Sequence, residues 1–72
     1  MPAEALELLL RKGTVLVETL HVHADPDDHA QMQDLLCRAI KQAGYGAHHE
    51  PDFQLEVYRQ VGQRTKYRTI TL

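Results

Sequence analysis

The apolar positions Met32, Leu35, Leu36, Ala39, Ile40 and Ala43 restrict this chain more than any other feature of it. They recur at i, i+3, i+4 and i+7, the spacing that lines one side of an α-helix. A helix striped in this way must lay its stripe on a second layer. With 72 residues there is room for one such layer and one core. Asp25 is placed to cap this helix, Pro26 suits its first turn, and Asp27 and Asp28 face its positive end. Gly44-Tyr45-Gly46 marks the stop.

The second layer should be a sheet. Thr14–His23 is rich in β-branched residues and reads as a strand. Val15 and Val17 point one way and Leu16, Leu20 and Val22 the other, so both faces are apolar, the pattern of a strand covered on both sides. Phe53–Val61 alternates strictly at its start, Gly62–Thr65 reads as a turn, and Lys66–Leu72 as a last strand. In the resulting hairpin Val57 would face Ile70 and Leu55 would face Leu72. The opposite face would carry Gln54, Glu56, Tyr58, Gln60, Tyr67, Thr69 and Thr71. Residues 2–12 read as a short helix: Pro2 at its start, Glu4 and Glu7 early, Arg11 and Lys12 late, a stripe of Leu6, Leu9 and Leu10, and Gly13 as its stop.

The expected architecture is therefore a single small α+β domain over residues 1–72, in the order α-β-α-β-β. A three-stranded mixed sheet carries one long amphipathic helix and a short N-terminal helix. A right-handed crossover through the long helix would make the first two strands parallel neighbours. Three strands leave two open edges, each a template for another chain, so a homo-oligomer is expected. The tyrosine-bearing polar face, through Tyr58, Tyr67, Thr69 and Thr71, is the expected self-association surface.

Charge and cysteine usage narrow the functional classes. The net charge of -2 divides unevenly, with nine acidic and four basic residues through Asp52, and one acidic and four basic residues after it. That balance disfavours general polyanion binding. It leaves one alternative, a nucleic-acid-contacting accessory domain. Arg59, Arg64, Lys66 and Arg68 would hold phosphates, with Tyr58 and Tyr67 available for stacking. The lone Cys37 rules out a disulfide within the chain and fits a reducing compartment. No apolar run reaches the roughly 18 residues of a membrane span, and the acidic start, Met1-Pro2-Ala3-Glu4, is unlike a signal peptide. A cytoplasmic protein is expected.

Five residues are histidine, three of them in His21-Val22-His23-Ala24-Asp25-Pro26-Asp27-Asp28-His29. Two histidines two apart on a strand share a face and can chelate one ion. His29 follows close enough in sequence to offer a third nitrogen, and the aspartates could orient the imidazoles. His21, His23 and His29 are thus candidate ligands for nickel, zinc or copper. Enzyme readings are weaker. Pro2 could act as an N-terminal base, as in small tautomerases, but the expected helix start removes it from that arrangement. Cys37 lies mid-helix with no base set beside it by sequence. The chain is expected to be a non-catalytic binding or assembly module that self-associates, with a metal- or pH-responsive version built on the histidines.

Overall fold

The computed structural model describes residues 3–60 and 65–72. It holds a four-stranded sheet in the order β2-β1-β3-β4, made of β1 (Glu4–Lys12), β2 (Val15–Ala24), β3 (Phe53–Arg59) and β4 (Thr65–Ile70). One helix, α1 (His29–Gln42), packs on one face, and a 3-10 turn over Ala47–Asp52 leads from it into β3. Every neighbouring pair of strands is antiparallel.

This overturns the three-stranded mixed sheet and the N-terminal helix. The segment read as a helix is β1, the second strand of the sheet and the one both β2 and β3 pair with. The run Leu6-Glu7-Leu8-Leu9-Leu10 fits either period: residues 6, 9 and 10 make a helical stripe, and residues 6, 8 and 10 make a strand face. The strand face wins. Leu6, Leu8 and Leu10 are all buried in the core beneath α1. Gly13 decides the local geometry, with φ 62 and no positive φ at Thr14. That is the pattern of a type II′ hairpin turn, joining Lys12 to its partner Val15. A helix stop and a hairpin turn both favour glycine here, so the residue alone does not choose between them.

The crossover expectation also changes. β2 and β3 both run antiparallel to β1 and so parallel to each other, but β1 lies between them. The long connection through α1 therefore skips a strand. β2, expected near the centre because both its faces are apolar, is an edge strand.

The stripe on α1 behaves as expected, with Met32, Leu36, Ala39 and Ile40 buried against Leu6, Leu8, Leu10, Leu55, Val57 and Ile70. Its start lies three residues later than Asp25. Asp28 is the cap, its carboxylate accepting from the Gln31 amide at 3.1 Å. Asp25 instead holds the preceding turn, accepting from the Asp27 amide at 3.0 Å. At the other end Gly44, at φ 91, closes the helix. The Gly44 amide donates to the Lys41 carbonyl at 3.0 Å and the Tyr45 amide to the Ile40 carbonyl at 3.1 Å, a Schellman motif.

The last hairpin pairs Leu55 with Ile70 and Val57 with Arg68, two residues away from the expected register. A shift of two keeps each residue on its face, so Leu55, Val57 and Ile70 still meet in the core. The register then slips between Val57 and Tyr58, where Tyr58 pairs with Lys66, leaving Tyr67 as the extra residue of a bulge. No helix among the described residues is long and apolar enough to cross a membrane.

Candidate functional site: an unguarded edge strand

The two edges of the sheet differ in kind. β4 is six residues long, carries Lys66 and Arg68, and is bent by the bulge at Tyr67. Short length, cations and bulges are the usual devices that keep an edge from pairing with another chain. β2 carries a bulge at Val17, near its start, where Leu10 pairs with Glu18 and Arg11 with Leu16, but it is regular from Glu18 to Ala24 and has no lysine or arginine. It runs for ten residues, with Glu18 as its one permanent charge and neither Pro nor Gly within it. Val15 and Leu16 are 63% and 48% exposed at its start.

The inner face of β2 is also incompletely covered. α1 lies over β1, β3 and β4. Leu20 and Val22 are consequently only partly buried, and a groove of about 210 Å³ opens between β2 and α1, lined by Leu20, Val22, Leu35, Arg38, Ala39 and Gln42. An open strand edge and an apolar groove thus lie side by side.

The outer face, opposite α1, carries His21 and His23 on β2. They pair with Glu7 and Ala5, between the residues whose partners Leu6 and Leu8 line the core. His21 Nε2 lies 3.7 Å from Glu7 Oε2. His29 is elsewhere, at the first turn of α1, with Nδ1 3.5 Å from the Arg68 guanidinium. Among the described residues no group of three His, Cys, Asp or Glu side chains is gathered to hold a metal. His48 and His49 lie in the 3-10 turn with ring centroids 4.1 Å apart.

Along β1, β3 and β4 the outer face is knit by charge. Glu56 accepts from Arg11 Nε at 2.7 Å, from Lys66 Nζ at 3.3 Å and from the Tyr58 hydroxyl at 3.4 Å. The Arg11 hydrogen bond, with Lys66 adding to it, holds the Glu56 carboxyl below the ordinary glutamate range. A depressed native pKa contributes stability above the unfolded value, about 4.3, and loses it as pH falls through the native value. Glu56→Gln is therefore expected to destabilise the fold by about 1 kcal/mol at pH 7, solvent screening limiting the exposed Lys66 side of the network. The deficit should shrink as pH is lowered below about 4. Urea unfolding of both proteins across pH 3–8 checks this.

The proposed basic cluster does not form one patch. Arg59 is clamped by Glu4 at 2.8 and 3.0 Å, and that pairing raises the Arg59 pKa further. Arg68 donates to the Pro26 carbonyl at 3.1 Å. Both stand on the α1 side, since they pair with the core residues Leu6 and Val57, whereas Lys66 is on the outer face with Glu56. Arg64 lies outside the described residues. The tyrosine surface is divided as well. Tyr58 is on the outer face, while Tyr67 donates its hydroxyl to Asp27 and lies 4.9 Å from the Arg59 guanidinium. The Asp27 bond raises the Tyr67 pKa. Thr69 pairs with Glu56 on the outer face, and Thr71 lies just beyond β4.

Pro2 lies outside the described residues. Cys37 is a free, half-buried thiol on α1. Sequence reasoning missed the groove and the open edge because both depend on β1 occupying the position next to β2. Comparison with protein-family models, curated proteins and solved structures gave no match for this chain.

Proposed function

We propose that this protein is a non-catalytic assembly module that pairs with a second copy of itself through β2. The contrast between the two edges carries the reading: β4 is short, cationic and bulged at its middle, whereas β2 keeps its bulge to Val17 and offers a regular stretch from Glu18 to Ala24 with Glu18 as its one permanent charge. An antiparallel β2–β2 pair satisfies the outward backbone groups of both strands and joins two four-stranded sheets into one of eight.

Strand pairing by itself covers a ribbon only about 5 Å wide. A stable interface buries about 1,200–2,000 Å². The grooves must therefore close too, and a two-fold axis beside β2 brings them together, with Leu20, Val22 and Leu35 of both copies meeting over the seam. Charge permits this, because Glu18 is the one permanent charge on the strand and an offset pairing keeps it from facing its own copy.

Sedimentation velocity of the full chain at neutral pH tests the proposal. A dimer is expected at about 10–50 μM, a concentration at which an affinity near 1 μM leaves few free monomers. A monomer throughout that range removes it.

A further inference from the structure

The histidine pair on β2 acquires partners once the edge is paired. We propose that β2 pairing assembles a divalent transition-metal site from His21 and His23 of both copies, on the sheet face opposite the helices. The inference rests on the edge pairing proposed above. A single chain places these two imidazoles on one face of β2, and no group of three ligands forms among the described residues. Two chains supply four.

The apolar face restricts the register. Residues opposite each other in an antiparallel pair share a face, and closing the grooves requires both inner faces on the same side. Leu20 and Val22 must then meet apolar partners, and Glu18 must not face Val22. Two registers satisfy this. In one, Leu20 faces the second copy's Val22, which sets His21 opposite His21 with a His23 flanking on each side. In the other, Val22 faces Val22, which sets each His21 opposite a His23. Both bring imidazoles of the two copies directly across from each other, with Cβ atoms about 4.5–5.5 Å apart. Imidazole side chains from such positions can converge on one ion at about 2.0–2.1 Å.

The surroundings suit a metal. The nitrogen donors favour zinc, nickel or copper over calcium or magnesium. Glu7, on β1 beside β2, lies 3.7 Å from His21 Nε2 and is placed to accept a hydrogen bond from Nε2–H, fixing the tautomer that offers Nδ1 to the ion. Both histidines are exposed in the single chain, so no core packing has to be broken to form the site.

Zinc titration of the full chain, followed by calorimetry and by sedimentation, tests this. One zinc ion per two chains is expected, and about 100 μM zinc should tighten the dimer at least about 10-fold relative to EDTA, since the ion binds the dimer and not the monomer. The double variant His21→Gln/His23→Gln should remain dimeric in EDTA, with an unchanged far-ultraviolet spectrum, and lose the zinc response. A dimer in EDTA that binds no zinc below about 10 μM, or binds one ion per chain, overturns this inference and leaves the assembly reading intact. A chain that stays monomeric in both zinc and EDTA overturns both.

Discussion

Leu8→Ala is expected to cost about 3–4 kcal/mol of unfolding free energy, the range for a fully buried leucine whose cavity cannot collapse. Leu8 has no exposed surface and pairs with Leu20 on one side and Val57 on the other, so neighbouring strands hold its cavity open. A chain of 72 residues has about 4–11 kcal/mol in total, so this single truncation should take about a quarter of it or more. The same variant separates the two readings of residues 4–12. Were that segment a helix striped by Leu6, Leu9 and Leu10, Leu8 would lie off the stripe and its loss would cost less than about 0.5 kcal/mol. Urea denaturation of wild type and variant at one protein concentration gives the answer. A small change would mean that β1 is not the strand on which the sheet is built.

Leu20→Lys is expected to raise the dimer dissociation constant at least about 100-fold, equivalent to about 2.7 kcal/mol. The two-fold axis doubles the effect, placing two ammonium groups in one apolar seam with no carboxylate assigned to either. The single chain should tolerate the change, because Leu20 is only partly buried and a lysine can run its stem along the groove to water. Thr69→Lys, on the opposite edge and on the outer face, serves as the control and should leave assembly unchanged. If Thr69→Lys separates the subunits and Leu20→Lys does not, the surface through Tyr58 and Thr69 is the one in use. Sedimentation equilibrium of the three proteins distinguishes these cases.

The readable parts of the sequence were those where one period had no rival. The stripe from Met32 to Ala43 has only a helical reading, and Gly44 closes it as expected. Phe53, Leu55 and Val57 alternate cleanly and form β3. The failure lay in five residues, Leu6 to Leu10, where leucine at four positions satisfies both a helix and a strand. Alanine, glutamate and leucine favour a helix locally, and pairing with strands on both sides outweighs that preference. Three other errors stem from that one. Without β1 the sheet has three strands, β2 sits in its middle, and its apolar residues on both faces look like burial instead of an open edge.

The candidate site was legible in part for the same reason. Period two is enough to put His21 and His23 on one face of a strand, and the structure places them on one face of β2. Which face, and whether that strand has a neighbour, follows from strand order, which no local pattern encodes. The basic set looked like one cluster because its members are close in sequence. Alternation along β3 puts Arg59 on the helix side, and the bulge at Tyr67 puts Arg68 there too while Lys66 faces the other way, so separate acceptors engage them.

The most direct measurement is amide hydrogen exchange of the full chain as its concentration is raised from about 1 to 100 μM, a span that crosses the dissociation constant of a dimer of ordinary strength. Alternate amides of β2 between residues 18 and 24, those directed away from β1, should slow markedly with concentration, while those of β4 should not change. If the β2 amides exchange rapidly at every concentration while core amides of β1 and β3 stay protected, the strand has no partner and the account of this protein as a self-pairing module is wrong.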